Sequence, residues 1–313
     1  MTSTLAAQRT ASRTAYDCAV ARATVFALTE LRSFDYLASY AAGWGSAPLQ
    51  TRFGVAMIRL GGARWTQRAI ARSSPGVDVF LFARQMVPDE MIREALMDRP
   101  ETQVVILGAG LDTSGMRIGA ERRTAGLTPG TFFEVDLPAM QAEKRALADH
   151  LSGRSLGVGD AHIRYVPCSF GDNELIEALR GAGFDPALPT VWVWSGVIHY
   201  LTEAAVQATV ADLQKLSCPG SRLFFDFIWQ EAYERPADFG FARTKRRFDA
   251  YGEVMSFGFR QGTDHVREWL EAQGIAFVRS YASDDMVELF EARTGMPAPS
   301  QGTPWSGLCV AAF

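Results

Sequence analysis

From residue 103 onward, short, largely apolar runs alternate with stretches in which apolar residues return every third or fourth position. Val104–Gly108 stops at a glycine, Thr131–Asp136 ends in acids, and His162–Pro167, Thr190–Ser195, Arg222–Phe227, Ile275–Tyr281 and Gly307–Phe313 complete seven such runs. A run of this length bounded by turn residues predicts a strand, and the continuous apolarity of Val104–Gly108 predicts burial on both faces in a parallel sheet. Between them lie helical patterns. Pro138 suits the first turn of a helix whose inner face is Met140, Lys144, Leu147 and Leu151. Thr202 can cap a second helix with Val206, Val210 and Leu213 on its buried side, ended by Cys218-Pro219-Gly220. Strands alternating with helices predict an α/β, doubly wound, mostly parallel seven-stranded sheet.

The first hundred residues differ. Ala- and Arg-rich segments recur with helical spacing, as at Val20, Thr24, Ala27 and Leu31, and no β alternation precedes residue 103. Residues 1–98 read as an N-terminal helical layer that cannot close its own core, and 99–313 as the sheet domain. Residues 228–262 read as an irregular insertion rich in aromatics, including Trp229, Tyr233, Phe248 and Tyr251, suited to a lid.

Composition narrows the class. A chain of 313 residues, 48% hydrophobic and 21% charged, is globular and neither collagen-like, disulfide-framed nor disordered. A net charge of −4 argues against a nucleic-acid partner, and Lys245-Arg246-Arg247 reads as a solvated helix face. No apolar run reaches the roughly 20 residues that span a bilayer, so no membrane partner is expected. Cys18, Cys168, Cys218 and Cys309 form no pair at metal-ligand spacing and read as reduced thiols of a cytoplasmic protein. The N-terminal residues lack the apolar stretch of a secretory signal and read as a frayed tail.

The chemistry concentrates in Val104–Gly115. A strand ending in Gly108-Ala109-Gly110 lets a ligand approach the main chain, and ligands of open α/β sheets bind beyond the strands' C-terminal ends. An acid closing the second strand would reach a ribose diol. Asp136 and Glu134 share a strand face and compete for that role. Either a dinucleotide or an adenosyl cofactor fits this description. A dinucleotide fingerprint requires G-x-G-x-x-G, and Thr113 stands at the third glycine position, which makes NAD(P) the weaker alternative.

The segment VVILGAGLDTSGMRI resembles the LGAGLDTR-type loop of the leucine carboxyl methyltransferase family, S-adenosylmethionine-dependent O-methyltransferases that include bacterial natural-product carboxyl methyltransferases. Other segments resemble family elements in the same order. They are ARA at Ala21–Ala23 ahead of Asp35, Arg72-Ser73, FFEVDLPAMQAEK, AGFDPALPTVWVWSGVIHYL, PGSRLFFD and GEVMSFGF. The resemblance covers about residues 20–313 and implies a Rossmann-like methyltransferase fold with S-adenosyl-L-methionine as cofactor. It implies that Arg72 grips the methionine carboxylate with Arg22 assisting, that Gly108, Ala109 and Gly110 line the cofactor, and that Asp136 accepts from the ribose. Ser169 and Phe170 stand in the place of an Asp-Leu pair at the adenine, Ser195 in the place of a Glu near the methionine moiety, and Ser114 in the place of the loop's Arg.

The implied reaction is methyl transfer to a small-molecule carboxylate, which is ionised at pH 7 and needs no base. A phenol acceptor would profit from one, and His199 beside Tyr200 on the turn after the fourth strand is the candidate. Tyr200 is expected to shape the pocket or orient the acceptor. The remaining alternative is a SAM-binding protein that lost catalysis with its two acids.

Overall fold

The computed structural model describes residues 13–29, 31, 34–154, 158–169 and 174–313, which leaves Phe170 outside the described residues. Seven strands form one sheet: β1 (Gln103–Leu107), β2 (Thr131–Asp136), β3 (Ile163–Pro167), β4 (Thr190–Trp194), β5 (Arg222–Ile228), β6 (Ala276–Tyr281) and β7 (Ser306–Ala312). Their order is β3-β2-β1-β4-β5-β7-β6. β1 through β5 pair in parallel, and β7 runs antiparallel between β5 and β6. Every residue of β1 and β4 is buried, as continuous apolar runs at the centre of a parallel sheet require. The strand order reverses between β1 and β4, and a crevice opens there beyond the strands' C-terminal ends.

Among the described residues, five helices precede the sheet: α1 (Arg13–Thr29), α2 (Ala38–Ala42), α3 (Leu49–Arg59), α4 (Ala63–Ser73) and α5 (Val77–Asp98). They share one hydrophobic core with the sheet, joined through residues such as Phe34, Phe82 and Phe290. After β1 comes α6 (Ser114–Thr124), and after β2 comes α7 (Pro138–Ser152), with Met140, Lys144, Leu147 and Leu151 buried as their spacing predicts. α8 (Leu175–Gly181) precedes β4. A single 3-10 turn (Ile198–Tyr200) then leads to α9 (Glu203–Leu216), capped by the Thr202 hydroxyl accepting from the Ala205 N–H at 3.3 Å.

The segment after β5 departs from the irregular insertion that the sequence suggests. It holds α10 (Gln230–Glu234) and α11 (Ala242–Tyr251), and a parallel bridge joins Trp229 to Phe259. Ala242–Tyr251 carries few apolar residues, so its sequence shows little helical period, and its buried side is set by packing around Thr244. α12 (Thr263–Ala272) and α13 (Ser283–Thr294) flank β6.

Candidate functional site

A cleft of about 2280 Å3 lies over the C-terminal edge of the sheet. Its floor is built from the loops that leave β1, β2, β3 and β4. Gly108, Ala109, Gly110, Asp136, Ser169 and Ser195 all face it. Gly108 and Gly110 have φ values of +69° and +45°, which L side chains rarely adopt. A Cβ on Gly108 would come within 2.1 Å of Val197 Cγ2, so the turn also requires the missing side chain. The Gly108 and Ala109 N–H groups both donate to the Val135 carbonyl, at 2.8 and 3.0 Å.

Asp136 closes β2 and accepts from the N–H groups of Gly110 at 2.5 Å and Leu137 at 2.7 Å. Burial raises its carboxyl above the usual range, against these hydrogen bonds and Lys144. Glu134, its competitor on the same strand face, is buried beneath α7 and ion-paired to Lys144 Nζ at 2.8 Å, away from the cleft. The helix covers the strand at Glu134 and uncovers it at Asp136, which separates two acids that alternation alone leaves equivalent.

The basic residues are arranged differently from the sequence-based expectation. Arg22, from α1, faces the cleft, donates from Nη2 to the Leu111 carbonyl at 2.8 Å and pairs with Asp35 at 2.9 Å. Arg72 is a correction. It is exposed on the last turn of α4 and does not line the cleft, whereas Thr66, Ile70 and Ser73 do. A helix turns 100° per residue, so the neighbour of a cleft-facing Ser73 points elsewhere. The arginine that enters the cleft from the following helix is Arg84, 3.3 Å from the Asp226 carboxylate and 3.4 Å from Cys18 Sγ. Burial opposes its charge, but Cys18 and Asp226 hold it protonated. Arg247 is a second correction: its side chain lines the cleft and lies 3.9 Å from Asp17, so the 245–247 cluster is not wholly a solvated face.

Asp226 was missed as a site residue. It accepts from the Gly196 N–H at 2.5 Å, holding the loop after β4 as Asp136 holds the loop after β1. An acid inside the otherwise apolar run of β5 was the available signal. Beneath the cofactor loop, Arg117 is fully buried between Asp89 at 2.8 Å and Asp35 at 3.5 Å, and Ser114 donates to Asp89 at 2.7 Å. Ser114 therefore serves this internal network. Asp112, at the cleft wall, is held below the usual carboxylate range: burial works against it, but Arg22, Lys144 and Arg117 outweigh that penalty.

At the other end of the cleft sit His199 and Tyr200, with ring centroids 4.3 Å apart. His199 is buried, its Nδ1 has no hydrogen-bond partner, and burial pushes its imidazolium down to about 4. The Tyr200 hydroxyl donates to Glu253 at 2.9 Å. Burial first, and the adjacent Glu253 second, raise its phenol well above 10. Thr14 of α1 donates to the same carboxylate, so α1 and the segment after α11 meet at Glu253. The Ser195 hydroxyl oxygen is also buried without a partner. Phe170 cannot be placed, since it lies outside the described residues.

Residues 45–214 match the family model described as leucine carboxyl methyltransferase. A candidate S-adenosyl-L-methionine-dependent methyltransferase from Mycobacterium avium is 31% identical over 207 residues, 60% of this chain and 64% of that protein. Another from Streptomyces coelicolor is 31% identical over 144 residues, 46% of this chain and 44% of its own length. The chain thus spans under two thirds of the length of these curated relatives. Among solved structures, a DUF574 family protein from Streptomyces avermitilis superposes with a TM-score of 0.56 at 16% identity, covering 90% of this chain and 96% of that one. A candidate methyltransferase from Thermobifida fusca gives 0.53 at 18%, covering 80% and 88%. These two likenesses concern the fold. The family match takes in the glycine loop, Asp136 and Ser195 and covers more than half of the sequence, so the chain belongs to the leucine carboxyl methyltransferase family.

Proposed function

We propose that this protein is an S-adenosyl-L-methionine-dependent methyltransferase that methylates a carboxylate of a small hydrophobic, natural-product-like acceptor. The observation that carries the reading is the pairing of the positive-φ Gly108–Gly110 loop with Asp136 at the sheet's switch point. The donor set suits the cofactor. Bare backbone at the two glycines admits close approach, Asp136 keeps lone pairs for a diol, and Asp112, Asp226 and Glu253 give the cleft acids that favour a cation. The partnerless Ser195 hydroxyl is available to a polar group at the methionine end. When bound, S-adenosylmethionine supplies an electrophilic methyl on a sulfonium.

The chain's own task is then to hold the acceptor in line and keep water out. The helices α1, α3 and α4 and the segment 244–255 wall the acceptor side with Met57, Ile70, Phe248 and Met255. A carboxylate acceptor needs no proton removed at pH 7. His199, with its imidazolium held near 4, is a weak base for a phenol, which further supports a carboxylate.

Thermal denaturation with S-adenosylhomocysteine and with NADPH tests the cofactor. A ligand at a hundred times its Kd stabilises by about 2.7 kcal/mol. Stabilisation by S-adenosylhomocysteine is expected, and stabilisation by NADPH alone would sink the proposal. Methyl transfer from labelled cofactor across a panel of acids and phenols tests the acceptor. Cofactor binding with no turnover on any of them would favour a catalytically silent protein.

A further inference from the structure

We infer that the α3–α4 hairpin is a docking face for an anionic lipid surface, placed at the mouth of the cleft. The face is built from two observations that are independent of the cofactor reading. The first is apolar. Leu49, Phe53, Leu60 and Trp65 are 84%, 66%, 83% and 67% exposed, and Ala56 is exposed with them. Leu49, Phe53, Ala56 and Leu60 follow one another by four, three and four residues, so they form a single stripe along α3. Thr51, Val55 and Ile58 bury the opposite side. A stripe of this kind normally faces a core, and here it faces outward. Scattered exposed apolar residues are ordinary, whereas a contiguous row marks an interaction surface.

The second observation is charge. Residues 36–77 carry five arginines, Arg52, Arg59, Arg64, Arg68 and Arg72, and no Asp or Glu, in a chain whose net charge is −4. All five are exposed. Among the described residues none of them has an ion-pair partner. Arg52 donates to the Ala47 carbonyl, Arg59 sits over Tyr40 and Arg68 over Trp65. Arg68 over Trp65 sets a cation beside an exposed aromatic ring on α4 itself, and Trp65 and Phe53 of the α3 stripe both border the cleft.

An outward row of Leu and Phe on α3, with the exposed Trp65 on α4 and unpaired arginines on both helices, matches an interfacial hairpin, whose apolar side enters the acyl boundary while its cations meet anionic headgroups. A second copy of the chain fits less well, because a two-fold interface would set the same five arginines against each other. Among the described residues no helix is long and apolar enough to cross a membrane, so the contact would be peripheral. It would bring the cleft mouth to the layer in which a hydrophobic acid dissolves.

The test uses the full chain and flotation with vesicles of phosphatidylcholine, with and without phosphatidylglycerol. Binding is expected with the anionic vesicles and is expected to fall as salt rises. Arg64→Gln and Arg68→Gln should each weaken partition about fivefold. Leu49→Ser with Leu60→Ser should abolish it while leaving cofactor affinity and thermal midpoint unchanged, since neither residue lines the cleft. Equal binding to both vesicle types, or none, overturns the proposal. So does a dimer in sedimentation that the double serine variant dissolves, which assigns the face to a second copy. Retention on poly-glutamate without vesicle binding assigns it to an acidic protein and likewise overturns it.

Discussion

The Asp136 carboxylate accepts the Gly110 N–H at 2.5 Å and so ties the end of β2 to the loop that leaves β1. The same device recurs between Asp226 and the Gly196 N–H at the end of β5 and the loop that leaves β4. Two neighbouring loops of one cleft are thus each held by an acid from an adjoining strand. Each acid both orders main chain and presents charge to whatever occupies the cleft.

Asp136→Ala removes a half-buried acceptor from two backbone donors and, on the proposed reading, from the ribose. Hydrogen bonds to a charged group contribute about 1.5–3 kcal/mol. S-adenosylhomocysteine affinity should fall on the order of tenfold to a hundredfold, and Asp136→Asn should lose less because its amide oxygen still accepts. Isothermal titration checks this, and equal affinity in Asp136→Ala and wild type would remove Asp136 from the cofactor site.

Gly108→Ala meets two penalties, an L residue at φ +69° and a Cβ 2.1 Å from Val197 Cγ2. The backbone penalty alone is about 1–2 kcal/mol. Chemical denaturation should show a loss larger than that. Adding Val197→Ala should recover the steric part and leave the backbone part. No recovery in the double variant would mean that the contact with Val197 is not what excludes a side chain.

Arg22 and Arg72 should behave oppositely. Arg22→Ala leaves the buried Asp35 with the Thr113 hydroxyl and, as its remaining cation among the described residues, the more distant Arg117 at 3.5 Å, and breaking a buried pair costs about 3 kcal/mol or more. Arg72 is exposed, and surface changes of this kind stay within about 0.5 kcal/mol. Arg72→Ala should also leave S-adenosylhomocysteine affinity near wild type. A large loss of affinity in Arg72→Ala would restore it to the cofactor carboxylate, through a movement of α4.

His199 should make the fold acid-sensitive. Its folded value near 4 lies below the unperturbed 6.5 because burial disfavours the cation. Between those values the unfolded chain binds the proton and the folded chain does not, so stability falls as pH drops from about 6.5 to about 4. His199→Gln should flatten that part of the stability profile. Because the ring is neutral throughout pH 6–8, a flat rate profile there cannot discriminate the acceptors, and kcat can. His199→Gln should keep most of kcat on a carboxylate, whereas loss of a general base costs about 10²–10⁴-fold. A loss of that size would argue for a phenol.

Much of this molecule is local in origin and therefore legible in one dimension. Seven largely apolar runs became seven strands within a residue or two of their expected ends, and at the central β1 and β4 this is because a strand buried on both faces must be apolar throughout. Gly108 and Gly110 were legible because only a residue without Cβ occupies that turn easily. What the sequence could not decide depends on which neighbour covers a residue. Alternation put Glu134 and Asp136 on one face, and only α7, with Lys144, buried the first and left the second at the cleft. Motif order pointed to Arg72, but the rotation of α4 against the cleft turned it outward and left Arg22 and Arg84 facing in. Asp226, His199 and Glu253 became one region only when β5, the turn after β4 and the segment after α11 converged. Strand and turn preferences are written in short-range sterics and hydrophobicity, whereas charge pairing, desolvation and access to a cleft arise between residues far apart in the chain.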